Sequence, residues 1–212
     1  MKRRLFIAAS VGFVLQGVAR ARAPGKDGVV AGVARLSSFG DGMKQIQTGD
    51  AHAILRLGKN AFLVSPQSDI RFEVDKADMH VRAAQLVKGA MHSVFDPDAP
   101  RERNVITNFA TIAIRGTAHY CELQEAHGRT YSCCCYGHVH IAAEKGEAGL
   151  SQKTTYHEAK IITADGVIAP APYQVPLNHY DNTLVRLEGT VGRTPRWVLP
   201  NGKLNFISPF EI

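Results

Sequence analysis

The 212 residues carry 25 Lys plus Arg against 19 Asp plus Glu, a formal net charge of +6. Five of the basic residues and none of the acidic ones fall in residues 1–23, so the remainder holds 20 basic against 19 acidic residues, a net charge of about +1. That balance leaves no basic footprint for a nucleic acid, while the remaining ~190 residues suffice for one domain with a core.

The chain opens MKRRLFIAASVGFVLQGVARARAPG. Lys2, Arg3 and Arg4 form a basic n-region, and Leu5 to Ala19 form a short apolar run. Ala19-Arg20-Ala21 and Ala21-Arg22-Ala23 are both small-x-small cleavage patterns, so residues 1–23 read as an export signal. The apolar run is shorter than the roughly 18 residues of a membrane span. A signal retained as an anchor is the alternative to cleavage. Arg3-Arg4-Leu5-Phe6-Ile7 fits a twin-arginine address, and Ser10, Gly12, Gln16 and Gly17 dilute the run as such signals do. A general secretory signal is the other route. Either way the expected location is the periplasm, with no stable membrane span once the signal is removed.

Beyond the signal the periodicity is of strand type. Short apolar or alternating runs occupy 29–36, 51–57, 61–64, 70–74, 79–87, 90–95, 105–109, 112–115, 118–123, 131–135, 139–142 and 159–163. Turn residues separate them, among them Gly40-Asp41-Gly42, Thr48-Gly49-Asp50, Gly58-Lys59-Asn60, Gly89, Gly116 and Gly128. The pattern predicts an all-β fold: many short, mostly antiparallel strands in a sandwich or β-solenoid-like body. Residues 144–153 have little apolar content and read as an exposed loop. Pro170, Pro172 and Pro176 then make an extended connector. Leu184, Leu187, Glu188 and Val191 sit at helical spacing, which predicts one short C-terminal helix near 182–191, capped by Asp181 and ended by Gly192 and Pro195. Too short to stand alone, it must pack on the β body.

Three stretches resemble the FecR-domain family: Thr48-Gly49-Asp50 before an alternating strand, Pro66-Gln67-Ser68 after the next, and Ala110 to Thr117 ending in Arg115-Gly116-Thr117. The resemblance covers residues 28–142, leaving 143–212 as a C-terminal extension packed on that domain. It implies a non-enzymatic protein that binds an envelope protein or small ligand in signalling or assembly. Regulators of this family carry a cytoplasmic domain ahead of their membrane span, whereas four residues precede the apolar run here. The expectation is that any signal passes through another protein. Physically, Thr48-Gly49-Asp50 reads as a tight turn with Gly49 free to take positive φ. Gly116 lets backbone pass closely.

The cysteines stand in TYSCCCYGHVHI, residues 130–141, with Cys121 twelve positions before Cys133. Residues 118–125 and 129–135 should form a hairpin. A two-residue loop would set Cys121 opposite Cys134; a three-residue loop, Ala126-His127-Gly128, would set it opposite Cys133. The second register divides apolar from polar faces cleanly and puts Gly128 at a left-handed position. It predicts Cys121, Cys133 and Cys135 facing inward together and Cys134 facing outward. Three readings remain open. One is a Cys121–Cys133 or Cys121–Cys135 disulfide, the default in an oxidising compartment. Another is a zinc or iron site in which His157 or His179 completes the set with Cys121, Cys133 and Cys135, making the protein metal-binding or redox-active. The last is free buried thiols. His138 and His140 alternate and read as solvated, and His52, His80 and His92 have no partner in sequence. No nucleophile elbow, phosphate loop, His-Glu-x-x-His or dinucleotide fingerprint marks an enzyme.

Overall fold

The structure, a computed structural model, describes residues 27–195 except 100–102, 117, 147, 148, 174 and 175. The export signal read at 1–23 therefore lies outside the described residues, as does the end of the C-terminal extension. Among the described residues twelve strands join in one hydrogen-bonded sheet, and one α-helix follows. The all-β expectation holds, with every pairing antiparallel except one.

The strands close because two long ones change partners midway. β2 (Met43–Leu57) pairs with β4 (Asp69–Val74) through its first third and with β3 (Asn60–Val64) through its last. β5 (Val81–Val94) takes the same two strands from the other side. A second ring runs from β5 through β6 (Arg103–Ile106), β7 (Ala110–Ile114), β9 (Arg129–Ala143) and β8 (Ala118–Gln124) back to β5. β6 runs parallel to β5. Closure pairs backbone groups that an open sheet would leave bare. β1 (Gly28–Ser38) flanks β2 at one end of the network.

Each change of partner needs a local device. The sequence reads residues 79–87 and 90–95 as two strands, but they are one, bent at Gly89. Its φ is +86°, and a Cβ there would lie 2.1 Å from the Ser68 hydroxyl oxygen. Residues 131–135 and 139–142 likewise fuse into β9 across Gly137, φ +110°. Gly116 passes against that bend, where a Cβ would meet the His138 nitrogen at 2.6 Å, as its predicted close approach requires.

Thr48-Gly49-Asp50 is not a turn. It lies inside β2, where the register with β1 jumps, and Gly49 stays outside the left-handed region. The Thr48 hydroxyl donates to the Ser65 carbonyl at 2.6 Å, and the Gln67 N–H donates to the Gly49 carbonyl at 2.7 Å. These bonds hold a bulge rather than a reversal.

The exposed loop expected over 144–153 contains β10 (Gly149–Thr154), which pairs along the second half of β9. Only Gln152 of β10 is buried, so backbone pairing rather than side-chain burial makes it a strand. β11 (Glu158–Thr163) flanks the first half of β9, and β12 (Ile168–Pro170) flanks β11. β9 is thereby the hub, with four partner strands.

The predicted helix is α1, Asp181–Thr190. Asp181 does not cap it: Tyr180 holds the cap position without a side-chain bond, and Asp181 sits buried in the first turn. Leu184 and Leu187 are buried in a second apolar cluster that lies across the sheet from the main core. Tyr131 helps to dock the segment ahead of α1, since the Leu177 N–H donates to its hydroxyl at 3.1 Å. Tyr131→Phe leaves that donor unpaired. The expected cost is about 1–2 kcal/mol, read as a lower urea midpoint at unchanged slope.

Candidate metal centre

The hairpin that carries the thiols closes with a four-residue loop, 125–128, one residue longer than the favoured three-residue register and two longer than the other. Glu125–His127 form a 3-10 turn, and Gly128 follows in the left-handed conformation, φ 57°, ψ 41°. Gln124 then pairs with Arg129 and Cys121 with Ser132. Because side chains alternate, one residue of slip reverses every face. Cys121 therefore shares its face with Cys134 in the main core, while Cys133 and Cys135 emerge on the other face with Tyr120 and Tyr131. The predicted inward trio of Cys121, Cys133 and Cys135 does not form. Neither does a Cys121–Cys133 or Cys121–Cys135 bridge; all four thiols are free. Cys134, expected outside, is buried. The apolar/polar division failed as a guide because both faces of this hairpin are covered: Thr130, Ser132 and Cys134 are as enclosed as Cys133.

On the second face four ligand-type atoms converge. The sulfurs of Cys133 and Cys135 and one ring nitrogen each of His157 and His179 all lie within 4.8 Å of one another. β9 supplies both thiols. The register shift between Ala118 and His119 leaves Cys135 unpaired with β8, a bulge that also turns Tyr136 to this face. His157 stands in the turn before β11, and its N–H donates to the Cys135 carbonyl at 2.9 Å. His179 belongs to the segment leading into α1, its ring stacked on Tyr120 at 4.3 Å and 10°.

Each histidine is oriented by its other nitrogen. Nε2 of His157 donates to Asp181 Oδ1 at 2.9 Å, which leaves Nδ1 facing the Cys133 sulfur at 3.7 Å. The other Asp181 oxygen accepts the Tyr156 hydroxyl at 2.8 Å. Nδ1 of His179 lies 2.7 Å from the Leu177 carbonyl and must be the protonated nitrogen, which leaves Nε2 bare. That Nε2 is buried and has no hydrogen-bond partner among the described residues. An unmet buried polar atom of this kind costs about 1–3 kcal/mol.

The electrostatics separate the two thiols. Burial raises the Cys133 thiol, but hydrogen bonding from Cys135 and the nearby His179 and His157 outweigh it and hold it well below the usual thiol range. Burial and the neighbouring Cys133 push Cys135 well above it. Burial lowers His157, yet Asp181 and Cys133 together raise it to about 9. Both shifts run in the direction of a thiolate on Cys133 beside a protonated His157. Sulfur, imidazole and carboxylate in that order also match a nucleophile, its base and an orienting acid. Here the Cys133 sulfur is enclosed and the side chains of His157 and Asp181 are 4% and 0% exposed, a setting that suits a small ion better than a substrate.

Four of the five residues singled out from the sequence as metal ligands meet here, namely Cys133, Cys135, His157 and His179; Cys121 does not. The sequence reading missed Asp181, read as a helix cap, and His92, whose Nε2 lies 3.4 Å from the Cys135 sulfur. Nothing adjacent to His92 in the chain marks it; the pairing of β5 with β8 brings it in. His138 and His140 stay apart, His138 bonded to the Ser151 hydroxyl at 2.7 Å.

The fold places the chain among all-β domains in which closed strand rings carry a covering C-terminal segment. Over part of its length the fold is similar to two crystal structures of a candidate anti-sigma factor from Parabacteroides distasonis. One aligns with a TM-score of 0.52 at 13% identity over 61% of this chain, the other with 0.51 at 14% over 60%. The chain spans 59% and 58% of the length of those two. No protein-family model matches the chain, and no curated protein does.

Proposed function

We propose that this protein is an exported, non-enzymatic FecR-like domain that acts in the periplasm by binding a protein partner in envelope signalling. The observation that carries the reading is the order of the FecR-type stretches, Thr48-Gly49-Asp50, Pro66-Gln67-Ser68 and Arg115-Gly116-Thr117, along an all-β fold shared with a candidate anti-sigma factor. Among the described residues no helix is long and apolar enough to cross a membrane. The contact surface we favour is β1. It lies at an end of the sheet, with Val30 and Val33 45% and 75% exposed and Phe39, just past its end, 56% exposed. An edge strand with outward apolar side chains accepts a partner's strand through its free backbone groups and gains selectivity from those side chains.

A photo-crosslinking residue at Val33, expressed in the native host, tests both halves of the proposal. The expected product is a chain that begins near residue 24, found in the periplasmic fraction, and cross-linked to a discrete envelope protein. The same probe at Val167, exposed beyond β11, is expected to give no such adduct. Full-length chain confined to the cytosol would overturn the export half. A periplasmic chain with equal labelling from both positions would overturn the role of β1.

A further inference from the structure

We propose that Cys133, Cys135, His157 and His179 make a closed tetrahedral site for one zinc-class divalent cation, and that the bound ion fastens the segment ahead of α1 to β9. The inference stands whether or not the chain signals. Two thiolates and two imidazoles are the donor set of tetrahedral zinc. Metal–sulfur and metal–nitrogen bonds of about 2.3 and 2.0 Å require ligand atoms about 3.3–3.8 Å apart. The Cys133 sulfur and His157 Nδ1 are 3.7 Å apart, and the whole set lies within 4.8 Å. A contraction of up to about 1.5 Å between the most distant pair therefore completes the shell.

A second observation points to the same occupant. His179 is 2% exposed, its Nδ1 is engaged by Leu177, and its Nε2 is without a partner among the described residues. The Cys133 and Cys135 sulfurs lie nearest that lone pair, and a cation held among them would satisfy all three at once. The surroundings also match what a metal-bound histidine needs. His157 donates its outer N–H to Asp181, the carboxylate–histidine arrangement that sets tautomer and ring angle, and Tyr156 fixes Asp181 in turn. His92 approaches the Cys135 sulfur from behind.

The site has four protein ligands and no fifth position facing solvent, the form of a structural rather than a catalytic centre. Redox exchange between its own thiols is disfavoured by geometry. Cys133 and Cys135 are two residues apart on an extended strand, which separates their Cα atoms by about 6.5 Å, near the limit of disulfide geometry, with the intervening backbone holding them apart. The ligands come from three segments, β9, the turn before β11, and the lead into α1. One ion would therefore tie the C-terminal cover to the hub of the sheet.

The test uses the exported chain stripped by a chelator and titrated with Co2+. One ion per chain is expected, with thiolate-to-cobalt charge-transfer bands and intense tetrahedral d–d bands that one equivalent of Zn2+ bleaches. Cys121→Ser and Cys134→Ser should keep those bands. Cys133→Ser and His179→Gln should lose them, and Asp181→Asn should weaken binding about 10–100-fold. His179→Cys guards against misfolding as an explanation: a third thiolate should restore binding with a stronger charge-transfer band. On the wild-type chain, removing the ion should raise amide exchange across residues 176–191. No thiolate bands in the wild type, or bands that survive Cys133→Ser but not Cys121→Ser, would overturn the site. Exchange unchanged by chelation would overturn the fastening role.

Discussion

In the metal-free chain, Asp181→Ala is expected to lower the unfolding free energy by about 3–5 kcal/mol, the range for removing one partner of a buried ion pair. The carboxylate is fully enclosed and accepts from both His157 and Tyr156. Truncation removes the acceptor that Asp181 provides to the His157 N–H and to the part-buried Tyr156 hydroxyl, beside a histidine whose charged form Asp181 favours. The place of Asp181 in the first turn of α1 also favours its charge, but only by about 0.3–1 kcal/mol. The size of the loss therefore separates the two roles. Asp181→Asn keeps one acceptor and removes the charge, so an intermediate loss is expected. Urea unfolding of the three proteins reads the difference. A loss under about 1 kcal/mol in both variants would reduce Asp181 to a helix-dipole partner.

Acidification offers the second large effect. His119 is completely buried on the main-core side of the β8–β9 hairpin, its Nε2 2.9 Å from the Ser132 hydroxyl. Burial lowers its imidazole from the ordinary 6.5 to about 4. The folded state thus binds fewer protons than the unfolded chain between these values. Its contribution is whole above pH 6.5 and is lost as pH falls through 4. The interval is worth about 3 kcal/mol. His119→Gln can still bond Ser132 but does not titrate. Between pH 7 and pH 4 the wild type should lose about 3 kcal/mol more stability than this variant. Parallel profiles for the two proteins would show that His119 is not held neutral.

The strands were legible because apolar pattern reports burial directly: the continuous run 61–64 and the alternating 70–74 match β3 and β4 almost residue for residue. β10 escaped notice for the converse reason, since its side chains face solvent and only its backbone is paired. The Thr48-Gly49-Asp50 bulge was misread as a turn because glycine between polar residues marks both. Which one forms depends on Ser65, Gln67 and Ser68, contributed by a segment about twenty residues away.

The ligand set divides in the same way. Cys-x-Cys on a strand puts two sulfurs on one face whatever surrounds it, so Cys133 and Cys135 could be paired by local geometry alone. Which face that is, and whether Cys121 joins them, turned on one residue in the loop after β8, a matter of how Glu125–His127 wind into a 3-10 turn. His157 and His179 lie 22 positions apart, far from the spacing of a zinc finger, and only the packing of α1 across the sheet brings them together. Local pattern determined the all-β class, the helix and the common side of two thiols, because period and alternation are properties of neighbours in the chain. The tertiary structure decided the closed rings, the exclusion of Cys121 and the roles of Asp181 and His92, because those depend on contacts between segments whose separation no local pattern encodes.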